Sequence, residues 1–512
     1  MSDMAAPLDN PERRRSGAGR ADSYDSRARR SRATPTIRKH WLFLVLLIGG
    51  VCIRTLATVA YRPALFYPDS GDYLWQADHL QPTGWHPPGY GLFLYLLRPL
   101  HNVTFVPIAN HLMILGASIG IYALLCRLGV VRWLAAVGCA PLLLDSFQIN
   151  IEQYVLSEAL FESVLVASFV LLLWKRKPSL PRSAAIGLLL SFASVVRTSG
   201  AVLIVPVAVF LIVTRAGWKN VALCLVAFLL PILGSAAWFD ATYGTFTTSD
   251  LTGYQLYTRM GPIADCSGLT LSKPERYLCP KLPISERPGA PWFVSDPSPA
   301  VKLRARSPKT FNASEVAFDI AILEHQPGDY SYHVALDWLR QFLPGHPEPK
   351  GIREAEIYFQ PRYPGTTVSG VPDIPSYITL AGGGPPPSSD GGIARFLVQY
   401  QRFVYTWGPL ELVFLLLALA ASVGIGAARR SSRRAECALL MVAGPLIVLF
   451  TFALVFFDWR YVLPNLIFLP PAGVLGASML WPRLSAARPG HKHSKKMPTS
   501  TQTETAGELT AV

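Results

Sequence analysis

The sequence predicts an all-α polytopic membrane protein with about ten transmembrane helices and a mixed extracytoplasmic domain. Three observations lead to this fold class. Of the 512 residues, 51% are hydrophobic and only 16% are charged, against about 25% charged residues in an average soluble domain. The apolar residues are gathered in long blocks. Lys and Arg are concentrated in every second connection between those blocks.

The apolar blocks predict the individual spans, because a bilayer core about 30 Å thick requires about 20 mostly apolar residues per helix. The candidate spans are 41–60, 105–126, 133–149, 152–174, 183–197, 199–214, 220–239, 408–427, 436–457 and 461–481. The pair 183–197 and 199–214 is short for two spans, and the alternative is one broken segment. A cleaved signal peptide is the alternative for 41–60, but that stretch is long and Arg54 interrupts it.

The basic residues predict the orientation of the chain. Residues 1–40 hold ten Lys and Arg, and the connections after the second, fourth, sixth and eighth spans are also basic. Because cytoplasmic connections carry the excess of Lys and Arg, this pattern predicts a plasma-membrane protein with both termini cytoplasmic. The net charge of +14 therefore indicates topology rather than nucleic-acid binding, and the basic tails would meet anionic lipid headgroups.

The chain then divides into regions of different character. We expect a disordered basic tail at 1–40, spans one to seven with an acidic first outer loop (61–104) in 41–239, an extracytoplasmic domain at 240–400, spans eight to ten in 401–481 and a second disordered tail at 482–512. Two Cys, Cys266 and Cys279, lie in the 240–400 segment. An oxidising exterior favours their pairing, and a bridge over so short a loop would contribute about 3 kcal/mol. Two free thiols are the alternative, and two Cys alone do not make a zinc site.

The first outer loop carries the densest group of polar side chains. Asp69, Asp72 and Tyr73 are followed by His86 and two prolines. Two carboxylates three residues apart share one face if the segment is helical. Such a pair can supply a general base, or a base with a metal ligand or an orienting partner. The structural alternative is that Asp69 caps a helix and Asp72 is solvated.

Three further polar clusters lie near the outer ends of predicted spans. They contain Glu158 at the start of span four, Arg197 between spans five and six, and Arg460 with Tyr461 before span ten. Charges near spans are costly and often mark function. The alternative without a function is that these side chains are solvated at the membrane interface or snorkel towards it. All the clusters fall on the predicted outer side. Two Arg with carboxylates suit an anionic lipid substrate, because Arg holds phosphate through two parallel hydrogen bonds.

Together these clusters resemble the motifs of the polytopic GT-C glycosyltransferases, in particular the bacterial branch grouped with protein mannosyltransferases and aminoarabinose transferases. The family's Asp-Glu-x-x-Tyr motif and its following Pro-Pro segment look like Asp69-Ser70-Gly71-Asp72-Tyr73 and His86-Pro87-Pro88. Its Leu-x-Glu, Arg-x-x-Gly and Arg-Tyr-x-x-Pro motifs look like residues 156–158, 197–200 and 460–464.

The resemblance implies an enzyme that moves a sugar from a polyprenyl-phosphate donor, with inversion, to an extracytoplasmic glycan, lipid or protein acceptor. Asp69 would then remove the acceptor proton, with Asp72 as its catalytic partner. Arg460, together with Arg197, would stabilise the departing phosphate. The other expected substrate-binding residues are Tyr73, His86, Glu158 and Tyr461. Ser70 stands where the family's second acidic residue is usual, so the participation of a divalent metal stays open, and no other cofactor is expected.

Two other classes of protein stay open. A transporter or flippase of lipid-linked saccharides would also need outward charges and a lipid groove, but it predicts a polar path across the bilayer and an inverted repeat. A non-catalytic protein of cell-envelope assembly would account for Ser70. The sequence contains no phosphate-binding Walker A loop and no dinucleotide fingerprint, so it does not indicate soluble nucleotide chemistry.

Overall fold

The structure is a computed structural model that describes residues 15–175, 177–295, 298–306, 310–345, 358–364 and 373–486. For residues 15–37 and for position 294 it describes the backbone alone. Within these ranges the ordered structure is almost entirely helical. Residues 1–14 of the predicted tail at 1–40 and residues 487–512 of the predicted tail at 482–512 lie outside the described residues.

The helices follow the apolar blocks of the sequence and the short amphipathic segments between them. They are α1 (Arg15–Ala60), α2 (Pro68–His79), α3 (Gly89–Leu97), α4 (Phe105–Leu128), α5 (Arg132–Leu144), α6 (Ser146–Gln153), α7 (Glu158–Leu173), α8 (Leu180–Val196), α9 (Ile204–Val213), α10 (Trp218–Tyr243), α11 (Thr252–Met260), α12 (Lys273–Leu278), α13 (Pro299–Arg306), α14 (Phe311–His325), α15 (Pro327–Arg340), α16 (Ile374–Leu380), α17 (Gly391–Phe403), α18 (Gly408–Val423), α19 (Arg434–Leu454) and α20 (Leu469–Leu480). Two short strands, β1 (Tyr61–Arg62) and β2 (Ser388–Ser389), pair antiparallel with Tyr61 opposite Ser389.

The chain is a multi-pass helical membrane protein. Five helical segments among the described residues are long and apolar enough to cross a bilayer: Arg38–Ala60 of α1, all of α4, α10 and α19, and Trp459–Leu480, which ends in α20. Two bent pairs raise the number to seven if each pair is one span, namely α5 with α6, bent by 46°, and α17 with α18, bent by 48°. Residues 180–196 and 198–213 are shorter apolar helices.

Each predicted apolar segment coincides with a helix or a helix pair, but the predicted count of ten spans is not established. Helix α7 has 16 residues, and α8 and α9 are also too short to qualify alone. The number of spans and the side of each terminus therefore stay predictions. Helix α1 begins at Arg15, within the region expected to be a disordered tail.

The described residues of the 240–400 segment do not form the mixed fold that the sequence predicts. Its described residues form helices α11 to α17, and its strand residues there are limited to Ser388–Ser389. The α11 to α14 region has a core of its own, centred on Tyr257, Phe293 and Phe318. Cys266 and Cys279 are joined by a disulfide beside this core, with their Cα atoms 6.3 Å apart.

The bend between α5 and α6 has a local cause. Asp145 stands between the two helices, and its carboxylate accepts hydrogen bonds from the backbone N–H groups of Phe147 and Gln148. A side chain that caps a new helix in this way ends the preceding one. The helix therefore breaks within the apolar block 133–149, and α6 runs towards the first outer loop.

A buried ion pair joins α1 to the bent pair. Arg54 donates to both carboxylate oxygens of Glu152 at 2.7 Å, and it also donates to the carbonyls of Leu142 and Leu143 at the end of α5. His111 of α4 lies 2.7 Å from the same carboxylate. Breaking a buried pair by removing one partner costs about 3–5 kcal/mol. Arg54, which interrupts the first apolar block, therefore holds four helices together.

The 240–400 segment is hydrogen-bonded to the membrane helix α19, close to Arg460. The Tyr330 hydroxyl of α15 donates to the carbonyl of Ala453 at 2.8 Å, and the Trp338 indole donates to the carbonyl of Pro445 at 3.1 Å. Both acceptors belong to α19. The 240–400 segment thus lies against the end of α19 that precedes Arg460.

Candidate functional site

One cavity collects side chains from distant parts of the chain. It encloses about 660 Å³, including its open mouth. The first outer loop, the α8 to α9 connection, the 240–400 segment and the end of α19 all contribute to it. Its lining residues are Asp69, Tyr73, Trp85, His86, Pro87, Val196, Arg197, Thr198, Ser199, Ser249, Gln255, Phe450, Thr451, Leu454, Val455, Arg460 and Tyr461.

Helix α2 presents the two acidic residues of the first outer loop. The extended backbone of Tyr67 precedes Pro68, which occupies the first helical position, where its fixed φ is favourable. The Ser70 hydroxyl accepts a hydrogen bond from the Tyr67 N–H at 2.9 Å and donates to the carbonyl of Val155 at 2.8 Å. These bonds hold the start of α2 against the entrance to α7. Asp69 and Asp72 then lie close to one face of the helix.

The central contact of the site joins residues from opposite ends of the sequence. Arg460 donates from Nη1 to Oδ2 of Asp69 at 3.0 Å and from Nη2 to the Tyr461 hydroxyl at 3.0 Å. Its guanidinium lies 4.7 Å from the ring centroid of Tyr67 and 4.9 Å from that of Tyr461. Asp458 accepts from the Arg460 backbone N–H at 2.9 Å and caps the turn. The guanidinium is therefore fixed in position and orientation.

A second Arg lies beside the first. Arg197 follows the last residue of α8 in an extended conformation. It donates from Nη1 to Oε1 of Glu158 at 2.7 Å and to the Ser157 hydroxyl at 3.2 Å. The same Glu158 oxygen lies 4.0 Å from Nη1 of Arg460. One buried carboxylate thus spaces two cations at the cavity wall.

His86 is held in place by Asp72. Nδ1 of His86 lies 2.7 Å from Oδ2 of Asp72, and this oxygen also accepts from Thr83 at 2.9 Å and from Gln76 at 3.3 Å. Because an ionised carboxylate only accepts hydrogen bonds, Nδ1 carries the donated proton. Nε2 then faces Oδ2 of Asp69 at 4.0 Å.

Tyr73 supports the imidazole from the side. Its ring centroid lies 4.6 Å from that of His86 and 4.9 Å from that of Tyr90. Its hydroxyl lies 3.3 Å from that of Ser157, which links α2 to the start of α7. Burial, and after it the Asp69 charge, raise the pKa of Tyr73 above its ordinary value, so this phenol stays protonated.

The electrostatics keep Asp69 ionised. Burial raises the pKa of Asp69, but the charges of Arg460, His86 and Arg197 together outweigh that effect and leave the pKa below its ordinary value. The side chain is 24% exposed, so it can be reached from the cavity. An ionised, accessible carboxylate beside two cations can accept a proton from a neighbouring hydroxyl.

The structure brings together the residues selected from the sequence. Asp69, Tyr73, His86, Arg197, Arg460 and Tyr461 line the cavity. Asp72 and Glu158 do not line it, and they hold His86 and Arg197 from behind. The N-cap of α2 is Tyr67 rather than Asp69, and Asp72 is hydrogen-bonded rather than freely solvated. The catalytic and substrate-binding roles of these residues stay predictions.

Other lining residues were not selected from the sequence. Trp85 directly precedes His86, and its position beside the motif was a usable signal. Ser249 and Gln255 come from the 240–400 segment, where no motif or spacing marked them. Tyr67, whose ring faces Arg460, directly precedes α2 and was also missed as part of the site.

The described residues around Asp69 and Asp72 do not form a metal centre. The Ser70 side chain is fully buried and bonds to backbone atoms of Tyr67 and Val155. Asp69 and Asp72 are engaged by Arg460 and His86 respectively. Within the described ranges, no group of three or more His, Cys, Asp or Glu is arranged to hold a metal ion. The donor set therefore does not fit a divalent cation bound through an acidic pair.

Comparison with known proteins gives a limited result. No protein-family model matches the chain, and no curated protein sequence matches it significantly. Among solved structures, the chain is similar to the crystal structure of ArnT from Cupriavidus metallidurans bound to undecaprenyl phosphate, with 13% sequence identity and a TM-score of 0.35. The match covers 85% of this chain and 77% of the other. Values this low do not place the chain in a family.

Proposed function

We propose that the chain is a GT-C-type membrane glycosyltransferase that moves a sugar from a polyprenyl-phosphate donor to an extracytoplasmic acceptor with inversion. One observation carries the proposal: the Asp69 carboxylate and the guanidinium groups of Arg460 and Arg197 converge on one cavity. That cavity is also lined by apolar side chains of α19. A general base, a phosphate-binding pair and an apolar surface are the parts that such a transfer requires.

The two Arg suit a lipid phosphate. Both approach the same oxygen of Glu158, Arg197 at 2.7 Å and Arg460 at 4.0 Å, so one phosphate can contact both. Arg donates to phosphate through a planar pair of N–H groups. Phe450 and Leu454 line the same cavity and offer an apolar surface to the isoprenoid chain beside that phosphate.

The transfer step then follows from the positions of these groups. The acceptor hydroxyl attacks the anomeric carbon as the bond from that carbon to the phosphate oxygen breaks, through an oxocarbenium-like transition state. Asp69 takes the hydroxyl proton, and Arg460 with Arg197 stabilises the negative charge on the departing phosphate. Attack opposite the leaving group inverts the anomeric centre. Polyprenyl phosphate is a good leaving group, so the step does not require a protein acid.

Donor binding would also activate the base. In the free protein Arg460 stabilises the Asp69 anion at 3.0 Å. The single negative charge of the donor's phosphodiester beside Arg460 offsets that positive charge, and a nearby negative charge favours the protonated form of a carboxylate. Asp69 therefore becomes a stronger base when the donor is present. Asp69 would thus be a weaker base until the donor binds, which would limit side reactions in the absence of donor.

Analysis of lipid-linked sugars in a strain lacking the gene tests the proposed function. We expect one polyprenyl-phosphate sugar to accumulate and to fall again when the wild-type gene is restored. The purified chain in liposomes should transfer the sugar of that lipid to an acceptor fraction. Movement of the intact lipid across the bilayer without cleavage of the sugar–phosphate bond would instead show a flippase. No accumulation together with no transfer would contradict the proposal.

A further inference from the structure

The first outer loop and the 240–400 segment together build one wall of the cavity that the transfer step does not use. Trp85, Ser249 and Gln255 line the cavity together with Asp69 and His86. Trp85 is partly exposed. This wall combines one flat aromatic ring with two small polar groups, and it differs in chemistry from the apolar side chains of α19.

The indole of Trp85 is held in one orientation. The Arg304 guanidinium of α13 lies 3.6 Å from the Trp85 ring centroid and 4.8 Å from that of Phe311. Tyr254 of α11 meets the indole edge-on, with centroids 5.3 Å apart and an interplanar angle of 86°. One indole face is thus covered by a cation, and a phenol ring lies perpendicular to the indole. Trp85 nevertheless stays partly exposed and lines the cavity.

The backbone that carries Trp85 is fixed independently of that stacking. The carbonyl of Gly84 accepts from the Asp250 N–H at 2.9 Å. The carbonyl of Pro82 accepts from the Tyr243 hydroxyl at 2.8 Å. The Asp250 side chain is bonded in turn to that of Asn312 in α14. The loop before Trp85 is therefore part of a rigid connection to the 240–400 segment.

We propose that Trp85, Ser249 and Gln255 form a saccharide subsite in which one sugar ring stacks on the indole. The C–H groups on one face of a pyranose are apolar and slightly positive, and they complement the negative face of an aromatic ring. The Ser249 hydroxyl and the Gln255 amide are suited to sugar hydroxyls, since small-molecule sites combine an aromatic wall with a few polar groups. Arg304 is a positioning residue that acts through Trp85.

The role of this subsite in transfer rests on the proposed function, because the subsite adjoins Asp69. The bound ring then belongs either to the acceptor or to the donor sugar. The two sources share the same chemistry at Trp85, and kinetics separates them. Sugar binding itself can be measured without any turnover.

Footprinting of the purified full-length chain in detergent tests the binding. Tryptophan oxidation is followed residue by residue by mass spectrometry, with and without a panel of methyl glycopyranosides. We expect at least one glycoside to slow the modification of Trp85 and to leave Trp218 and Trp481 unchanged, since those indoles are exposed elsewhere. Failure of every glycoside to protect Trp85 would overturn the subsite. Protection of Trp85 by a chain that transfers no sugar would leave the subsite standing and would remove the glycosyltransferase.

Matched variants on α13 test the positioning role. Arg304→Gln removes the cation from the indole, whereas Arg306→Gln removes a cation that lies 5.3 Å from the Tyr277 ring. We expect Arg304→Gln and Trp85→Ala to raise the KM of one sugar substrate roughly three- to tenfold, the scale of one aromatic contact, with little change in kcat. Trp85→Phe should be milder. If only the KM of the acceptor rises, or only that of the donor, that substrate supplies the sugar ring bound at Trp85. Unchanged KM values for both substrates in Trp85→Ala would contradict the proposal.

Discussion

Arg460 has two kinds of partner, and each makes a different demand on its side chain. The carboxylate of Asp69 needs a positive charge, 3.0 Å away in the structure. The ring centroids of Tyr67 and Tyr461 lie 4.7 and 4.9 Å from the guanidinium carbon, within the range of cation–π contacts. Lys can supply the charge but neither the plane nor the paired N–H groups. Position 460 therefore requires an Arg side chain and not merely a positive charge.

Variants of Arg460 should separate these demands. We expect Arg460→Lys to lower the rate of transfer from a purified lipid donor, and Arg460→Ala to lower it further, because Ala leaves the departing phosphate without its main cation. Arg433→Lys is a suitable control, since Arg433 pairs with Glu436 one helical turn away and does not line the cavity. Normal transfer by Arg460→Ala would reduce Arg460 to an interfacial anchor.

Asp72 should affect the transfer through His86, the one of its hydrogen-bond partners that lines the cavity. Asp72→Asn removes the negative charge that faces Nδ1 of His86 at 2.7 Å, so it should lower transfer less than loss of Asp69 and should alter its pH profile. His86→Gln should have an effect of similar size. Since both changes interrupt one contact, the double variant should be no worse than the more impaired single variant. Additive losses in initial rate would show that Asp72 has a separate role.

At this scale the sequence predicted the charged residues of the site better than its uncharged polar residues. Asp69, Glu158, Arg197 and Arg460 stood out because a charge beside an apolar block is costly. Gln255 and Ser249 did not stand out, because a polar residue in a Pro- and Gly-rich outer segment is ordinary. The Trp85 wall depends on contacts between segments far apart in sequence, which no local pattern encodes.

At the scale of helices, the sequence reveals the apolar blocks but not the points at which a helix bends. The apolar blocks were visible because a span requires about 20 apolar residues. The bend of 46° between α5 and α6 was not, because it depends on Asp145 capping α6. Arg197 occupies a similar break between α8 and the turn that leads into α9. The two short apolar helices on either side of Arg197 thus serve the site by placing a cation at their junction.

Helix α14 contains two carboxylates that tie its stability to pH. Glu315 and Asp319 are each only 1% exposed, and among the described residues neither has a hydrogen-bond partner. Burial, opposed by Arg304 and reinforced by Asp250, raises the pKa of Glu315 from 4.5 to about 8. Burial and the neighbouring Glu315 raise the pKa of Asp319 as well. Glu315 is therefore mostly neutral in the folded protein below a pH of about 8, and the shift of the Asp319 pKa has the same direction.

The linkage between proton binding and folding gives the direction in which pH changes the stability of the protein. A group whose pKa is higher in the folded state contributes stability that is complete below the unfolded-state pKa and is lost as the pH rises through the folded-state pKa. We expect the apparent unfolding temperature to fall as the pH rises towards about 8, the folded-state pKa of Glu315, and Glu315→Gln to reduce that fall. Glu324→Gln, on an exposed part of α14, is the control. Identical pH dependence in wild type and Glu315→Gln would contradict this account.

For the whole molecule, the orientation in the membrane decides where the cavity opens. Strand β1 follows directly after the first apolar helix and pairs with Ser388–Ser389. The pairing puts residue 389 on the same side as the first outer loop. The connection between α7 and α8 lies beyond the far end of α7 from Glu158. The basic pattern of the sequence predicts that this connection is cytoplasmic.

Reporter fusions test that orientation. A reporter after Arg182 should be cytoplasmic, and one after Ser389 should be extracytoplasmic, because one connection is basic and the other adjoins the first outer loop. Fusions with a reporter active only in the cytoplasm and with one active only outside should give opposite results at each position. The same side for both fusions would remove the predicted topology and the outward-facing site with it.

The central claim is that Asp69 is the base of a sugar transfer from polyprenyl phosphate. Its most direct test is the initial rate of transfer in liposomes by wild type, Asp69→Asn and Asp78→Asn. Asp78 lies on the same helix, pairs with Arg98 and does not line the cavity, so its variant should transfer at nearly the wild-type rate. Asn matches Asp in shape but cannot take a proton, so Asp69→Asn should lower the rate roughly 10²–10⁴-fold while donor binding persists. Retention of most of the activity by Asp69→Asn would contradict the claim.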